Sequence, residues 1–352
     1  MYNQLTSRMF HRVMLVALLA LGMASAATNE LRVYIWSEYI DPQIVADFEK
    51  KFSCKVILDL YESNEEMIAK LQAGGSSQYD IVIPSDFVMP SMIKLGLLKP
   101  LNKALIPNLK NLGPKFQNPP YDPGNTYSAG WQWGTVGLMY NKTLLPDFKP
   151  SWSMVFQSEG KKSPFVLIDS EREMIGIALK FLGYSMNTQD KTQLKAAADL
   201  LISAKNGKNF LGFEGGVGGK NKVAGGAASM ALVYSGDAIR AMGENAKLGF
   251  VNPQEGTVIW VDNMAIPVQA PHADLAMKFI NYILDPKVGA QLSNFNQYAT
   301  PNAAAVPFIN KKDVANPAIY PDEATVKKLE FIQDLGKNNR LFSELWKIVK
   351  TR

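Results

Sequence analysis

The hydrophobic positions of the first hundred residues follow two alternating patterns. Short runs rich in β-branched and other apolar residues predict strands over residues 31–36, 55–60 and 79–84. Between them, apolar positions three and four apart predict helices, such as the one over 44–52 with its single apolar stripe. Strands that alternate with helices through short connections are typical of a parallel α/β sheet.

A second set of elements follows a stretch of weak periodicity at residues 100–130. The run 131–141 predicts a strand that enters a second sheet, and we place a boundary between two lobes near Gly134. Further strands are predicted over 165–169, 230–234 and 257–267. Helices are predicted over 170–182, 190–204, 273–284, 287–295 and the amphipathic tail from 321 onward.

The strand predicted over 257–267 carries an acid in its middle. Asp262 interrupts a β-branched and apolar run, where an unpaired buried charge costs several kcal/mol. Because side chains alternate along a strand, Trp260 and Asp262 should share one face. An aromatic ring beside a carboxylate suits an organic cation. The alternative is a structural Asp at the strand end that caps the following turn.

Aromatic and acidic residues recur where the predicted strands end. Ligands of parallel α/β sheets bind beyond the carboxyl ends of the strands, so these residues are candidates for one site. Four of them are carboxylates, and Arg172 is the only nearby cation. The set comprises Trp36, Glu38, Tyr39, Ser85, Phe87, Glu173, Tyr234, Asp237, Trp260, Asp262 and Tyr298.

The first residues of the chain predict an export signal rather than a part of the folded protein. Arg8 and Arg12 precede an apolar run, and Ala24-Ser25-Ala26 follows as a cleavage site, so residues 1–26 predict a signal peptide. Its removal takes away two arginines and no acid, which lowers the formal charge of +5 to +3. That weak positive charge without dense basic runs argues against a nucleic-acid partner. We expect a monomeric protein in the periplasm.

The chain lacks residues that several classes of enzyme need for catalysis. Cys54 is the only cysteine, and His272 is the only histidine outside the predicted signal peptide. One cysteine and one histidine are too few for a zinc cluster, and any Ser-His-Asp or Cys-His arrangement would have to use His272. The glycine-rich stretch 215–221 fails the phosphate-loop pattern at both ends, so we interpret it as a flexible surface loop. We expect no metal, no cofactor and no catalysis.

Seven short segments together resemble the periplasmic spermidine/putrescine-binding proteins of bacterial ABC transporters. The resemblance covers the whole mature chain. The segments are 34–39 (Tyr-Ile-Trp-Ser-Glu-Tyr), 61–65 (Tyr-Glu-Ser-Asn-Glu), 79–85 (Tyr-Asp-Ile-Val-Ile-Pro-Ser), 172–173 (Arg-Glu), 182–185 (Leu-Gly-Tyr-Ser), 260–267 with Trp-Val-Asp and Ala-Ile-Pro, and 300–302 (Thr-Pro-Asn).

The resemblance implies an α/β, two-lobe periplasmic binding protein of type II, the Venus-flytrap arrangement, with its ligand in the inter-lobe cleft. It implies that residues 27–134 and 262–306 form lobe 1. Residues 135–261 and 307–352 would form lobe 2. The implied partners are a polyamine and an inner-membrane ABC permease.

The resemblance also implies roles for individual residues. Trp36 and Trp260 look like cleft aromatics, while Glu173 and Asp262 look like carboxylates that bind ammonium groups. Tyr298 matches another contact of the family. The polar contacts implied for the first lobe are Ser37, Glu38, Tyr39 and Ser85.

Departures from the family pattern favour putrescine over spermidine. Ser170 stands where spermidine-binding members carry Asp, and Ile332 lies near where they offer Gln. Tyr234 replaces a Trp, and Phe87 stands where some members have Tyr. Asp237 stands where putrescine-preferring members carry a carboxylate. The alternatives are a spermidine-preferring binder, a polyamine sensor and, more remotely, a carbohydrate-active enzyme that uses paired carboxylates.

Overall fold

The computed structural model describes residues 29–158 and 162–352, so the predicted signal peptide lies outside the described residues. The strands are β1 (Glu30–Trp36), β2 (Lys55–Tyr61), β3 (Ile81–Val82), β4 (Leu98–Lys99), β5 (Ser128–Asn141), β6 (Phe165–Ile168), β7 (Phe210–Glu214), β8 (Met230–Tyr234), β9 (Leu248–Val251), β10 (Val258–Pro267) and β11 (Glu330–Phe331). The helices are α1 (Pro42–Phe52), α2 (Asn64–Gln72), α3 (Met89–Lys94), α4 (Ser153–Phe156), α5 (Glu171–Phe181), α6 (Lys191–Asn206), α7 (Gly218–Ala224), α8 (Ser235–Glu244), α9 (Ala273–Ile283), α10 (Pro286–Asn296), α11 (Lys311–Val314), α12 (Glu323–Val326) and α13 (Asn339–Thr351).

The first strands form the parallel sheet that their alternation with helices predicts. β1 lies between β2 and β3 and runs parallel to both. The helix after β2 is capped by Ser63, whose Oγ accepts a hydrogen bond of 3.1 Å from the N–H of Glu66. Because these strands run the same way, the loops that follow them meet at one edge of the sheet.

Two long antiparallel strands join this sheet region to a second parallel region. The order of strands is β2-β1-β3-β10-β5-β8-β6-β7, with β4 and β11 beside β10 and β9 beside β5. β10 is antiparallel to β3 and β5, β5 is antiparallel to β8 and β9, and β6 is parallel to β7 and β8. The predicted α/β class is confirmed. The exact lobe limits stay a prediction.

An additional residue in β5 changes the strand register beside the predicted acid. Asp262 pairs with Gln132 and Asn263 pairs with Gly130, so Trp131 is left opposite the junction between them. The Trp131 ring is buried and stacks on Phe279 with ring centroids 6.5 Å apart. Such bulges bend a strand and reorient its side chains.

Two sequence predictions about local structure are wrong. The glycine-rich stretch is not a flexible surface loop, because it leads into α7 and buries Gly219 and Lys220. A Cβ at Gly219 would lie 3.3 Å from the Cβ of Ala231, so glycine permits close packing there. The tail is also not continuously helical, since Glu330–Phe331 forms β11 parallel to β10. Among the described residues, no helix is long and apolar enough to span a membrane.

Candidate functional site

A cavity lies where the carboxyl ends of both parallel sheet regions meet. It encloses about 690 Å³, including its open mouth. β1, β2 and β3 contribute residues from their ends or the loops after them, and so do β6, β7 and β8. This position is the one at which α/β sheets bind ligands. Ten of the predicted site residues line it, namely Trp36, Ser37, Tyr39, Ser85, Glu173, Tyr234, Asp237, Trp260, Asp262 and Tyr298.

Asp262 is held in the cavity wall by two hydroxyl groups. The Tyr39 hydroxyl donates to Oδ2 at 2.9 Å, and Ser85 Oγ donates to Oδ1 at 2.7 Å. Asn64 fixes Ser85 in turn, because its amide accepts from the Ser85 N–H and donates to Ser85 Oγ, each at 3.1 Å. Burial raises the pKa of Asp262 to about 7, against the lowering effect of both hydroxyl groups. Asp262 lies within β10 and not at its end, so the capping alternative does not apply.

Glu173 is a second buried acid in a similar environment. It lies in the first turn of α5, where the helix dipole favours a negative charge. The Tyr234 hydroxyl donates to its Oε2 at 3.0 Å. Burial raises the pKa of Glu173 to about 7, while the hydrogen bonds from Ser170 and Tyr234 lower it. Both acids are therefore partly protonated near neutral pH in the empty cavity.

Asp237 differs from these two acids because it has a cationic partner. Its Oδ2 accepts a hydrogen bond of 2.9 Å from the Tyr298 hydroxyl, and its Oδ1 lies 3.0 Å from Arg240 Nη2. Burial raises the pKa of Asp237, and the Arg240 guanidinium opposes that effect. The charge of this carboxylate is thus matched by the protein itself.

The aromatic residues form a continuous wall around these carboxylates. The Trp260 ring contacts Tyr234 and Tyr298 edge-on, with centroid distances of 5.7 and 5.2 Å. Tyr298 then meets Tyr39 at 5.4 Å in a T-shaped contact. Trp36 is fixed by its indole N–H, which donates to the Ile83 carbonyl at 2.9 Å. The wall presents ring surfaces that suit a methylene chain or an ammonium group.

Two predicted site residues do not line the cavity. Glu38 is turned away and paired with cations, because its Oε2 lies 2.8 Å from Lys220 Nζ and also contacts Arg240. Burial tends to raise the pKa of Glu38, but these two cations lower it overall. Phe87 lies in the short turn Asp86–Val88 and packs half-buried against the core. The prediction of direct ligand contact from Glu38 and Phe87 is therefore not kept.

The structure adds residues that the sequence did not single out as site residues. They lie at the ends of β2, β6 and β7 or in the segments that follow these strands. Single polar residues in such loops carry no pattern of their own, so their position was the only available signal. The added residues are Glu62, Ser63, Asn64, Glu65, Ile168, Asp169, Ser170, Gly215, Gly216 and Val217.

The lining is strongly acidic. It contains six carboxylates, and none of the described residues in it is Lys, Arg or His. The three acids not discussed so far, Glu62, Glu65 and Asp169, lie toward the loops, and Asp169 pairs with Lys350 at 2.7 Å. Among the described residues, no group of three His, Cys, Asp or Glu side chains is arranged to hold a metal ion. The arrangement suits an organic cation with a hydrophobic chain.

Comparison with known proteins gives consistent matches along the chain. Residues 43–321 match the family described as bacterial extracellular solute-binding protein. The spermidine/putrescine-binding periplasmic protein of Salmonella typhimurium is 33% identical over 342 residues, which cover 94% of this chain and 95% of that protein. The putrescine-binding periplasmic protein SpuD of Pseudomonas aeruginosa is 35% identical over 350 residues, 94% of each chain.

A solved structure extends the agreement to the fold. The spermidine/putrescine ABC transporter substrate-binding protein PotD of Streptococcus pneumoniae superposes with a TM-score of 0.76 at 33% identity, covering 92% of this chain and 99% of that one. The two-lobe fold expected from the sequence agrees with this likeness. With its α/β fold, its cavity at the strand ends and the match over residues 43–321, this chain belongs to the bacterial extracellular solute-binding protein family.

Proposed function

We propose that this protein binds a polyamine, putrescine or spermidine, in the acidic cavity and delivers it to an ABC transporter permease. The observation that carries the proposal is the lining itself, with six carboxylates, an aromatic wall and no cation among its described residues. An anion or a neutral sugar would leave buried acids without a partner. A ligand with several ammonium groups supplies the missing partners.

The chemistry of a polyamine matches both components of the wall. Each methylene group buried against the rings contributes about 0.8 kcal/mol. Each ammonium group that faces a ring contributes about 0.5–2 kcal/mol. Asp262 and Glu173 are buried and accept hydrogen bonds from hydroxyl groups, so an ammonium group would bring each of them its counter-charge.

The proposed location and partners follow from the relatives. The Salmonella and Pseudomonas proteins are periplasmic binding proteins by name. We propose that residues 1–26 direct export to the periplasm and that the protein acts there as a monomer without enzymatic activity. Lobe 1 (27–134 with 262–306) and lobe 2 (135–261 with 307–352) would enclose the ligand. A role as a polyamine sensor uses the same binding chemistry, and transport assays in a strain that lacks the protein distinguish the two roles.

A thermal-shift panel tests the proposal. A ligand that binds only the folded protein raises its apparent stability in proportion to ln(1 + [L]/Kd). Putrescine or spermidine should raise the melting temperature, whereas glucose, maltose, sulfate and glutamate should not. The absence of a response to putrescine, cadaverine, spermidine and spermine contradicts polyamine binding. A chromogenic glycoside tests the enzyme alternative, and we expect no turnover.

A further inference from the structure

Arg240 lies beside the cavity without lining it and contacts two acids. Its Nη2 pairs with Asp237, one turn earlier in α8, at 3.0 Å and also contacts the Glu38 carboxylate. Its Nη1 donates to the Glu38 carbonyl at 2.9 Å. The side chain is 18% exposed, so the guanidinium is held mostly out of water by these partners. A planar guanidinium suits such a fixed, multiple contact better than the ammonium group of lysine.

Lys220 completes a cluster of four charges, Glu38, Lys220, Asp237 and Arg240, which we call the charge cluster. Lys220 Nζ lies 2.8 Å from Glu38 Oε2, and its side chain is 11% exposed. Two acids and two cations make this cluster formally neutral. Asp237 therefore lines the cavity with its charge already compensated by Arg240.

Asp262 and Glu173 have no such match. Within the described part of the chain, both accept hydrogen bonds from hydroxyl groups and neither forms an ion pair. The buried wall thus offers two unmatched carboxylates, although it contains three carboxylates in all. The remaining acids of the lining are Asp169, which is paired with Lys350, and the exposed Glu62 and Glu65. Exposed charge pairs contribute little to affinity.

We infer that Arg240 is a specificity-determining residue that neutralises Asp237 and so restricts the buried cavity to two ammonium groups, favouring a diamine over a triamine or tetraamine. This inference rests on the proposed function and refines its ligand class. A third ammonium group would meet only exposed acids, or it would have to displace Arg240 from Asp237. The sequence predicts a direct ligand contact from Asp237; Asp237 lines the cavity, and under this inference its pairing with Arg240 leaves it without a free charge for an ammonium group.

Substitution of Arg240 gives a directional test. Arg240→Gln removes one cation and leaves Asp237 as a third unmatched acid in the wall, so a triamine gains an anchor. We expect the affinity for spermidine relative to putrescine to rise about tenfold in calorimetry, the effect of one charge-assisted hydrogen bond. The double variant Arg240→Gln with Asp237→Asn removes both charges. Its affinity ratio should return to within about threefold of the wild-type value.

The controls separate this inference from the function on which it rests. Arg340→Gln removes an arginine that is 80% exposed and pairs with Glu344 in α13, so its affinity ratio should equal that of the wild type. An unchanged ratio in folded Arg240→Gln, or an equal rise in the double variant, overturns the inference. If the wild-type protein binds no polyamine at all, the proposed function fails instead.

A measurement on the wild-type protein keeps the test independent of variant folding. Carbon-13 NMR of labelled carboxyl groups reports ionisation directly. At pH 7, putrescine should shift the signals of Asp262 and Glu173, because each of these acids becomes fully ionised when it pairs with an ammonium group. The Asp237 signal should shift less, since its carboxyl group already pairs with Arg240 in the empty protein. A shift of Asp237 as large as that of Asp262 overturns the inference.

Discussion

Asp262 combines deep burial with hydrogen bonds from hydroxyl groups alone, which is an unfavourable environment for a carboxylate unless a cation arrives. The residue is 5% exposed. We predict that Asp262→Asn weakens polyamine binding at least about tenfold, since a charge-assisted hydrogen bond contributes about 1.5–3 kcal/mol. The empty variant should be no less stable than the wild type at pH 8, because the substitution removes a buried charge. Calorimetry and thermal melting on one preparation measure both effects.

A buried structural acid provides the matched control. Asp122 is 1% exposed, and its carboxylate accepts hydrogen bonds from the backbone N–H groups of Thr126, Tyr127 and Ser128. Asp122→Asn should lower the melting temperature and leave the affinity of the folded protein near normal. If Asp262→Asn behaves in this same way, Asp262 is a structural acid and not a ligand anchor.

The raised pKa values of Asp262 and Glu173 predict a pH dependence with a defined sign. Each pKa is about 7, so both acids are neutral at low pH and cannot pair with an ammonium group. Putrescine affinity should therefore rise between pH 6 and pH 8 and then level off.

The free energy of unfolding of the empty protein should change in the opposite direction. Between the ordinary carboxyl pKa and 7, the folded state binds more protons than the unfolded state, so these two groups destabilise it as the pH rises.

Calorimetry across this pH range measures the dependence. In the double variant Glu173→Gln with Asp262→Asn, any residual affinity should lose most of its dependence on pH between 6 and 8. A wild-type affinity that is constant over this range would mean that neither acid changes its protonation on binding.

Strand β5 brings its backbone against the aromatic wall at Gly134. A Cβ at this position would lie 2.8 Å from Trp260 Cζ2 and 3.1 Å from Tyr298 Cδ1. Gly134→Ala should therefore displace both rings and weaken binding several-fold, with a stability loss of about 1–3 kcal/mol from overpacking. Calorimetry and chemical denaturation provide the two values.

Gly137 in the same strand distinguishes binding from general packing. A Cβ there would lie 2.5 Å from Phe250 Cζ, and neither residue lines the cavity. Gly137→Ala should cost similar stability without weakening the binding by folded protein. Equal affinity losses in both alanine variants would indicate a global effect of strand strain rather than a local effect on the wall.

The whole molecule is organised around β5 and β10, which join its two parallel sheet regions. Solute-binding proteins of two lobes can close around a ligand by hinge bending at such connections. We predict that putrescine lowers the radius of gyration in solution scattering, whereas glucose leaves it unchanged. Superimposable curves at saturating putrescine would contradict hinge closure on binding.

Local patterns in the sequence determined most of the fold and the centre of the candidate site. The period of two along β10 placed Trp260 and Asp262 on one face, and the cavity contains both. The order of strands and helices predicted the parallel sheet regions, whose carboxyl ends bring the lining residues together. These features depend on neighbours in the chain or on directions that every parallel sheet shares, so they can be derived without a structure.

The partners of the charged residues were decided only by the tertiary structure. Glu38 pairs with Lys220, which is 182 residues away, and with Arg240, which is 202 residues away. No period or motif connects such positions, because an ion pair forms wherever folding brings two side chains within a few ångströms. The packing of the glycine-rich stretch also depends on a residue far away in the sequence. A Cβ at Gly216 would overlap the carboxylate of Glu62, which the fold brings close to it. The three buried acids of the site, Glu173, Asp237 and Asp262, were therefore recognisable from the sequence, but which of them remain free for a ligand depends on long-range packing.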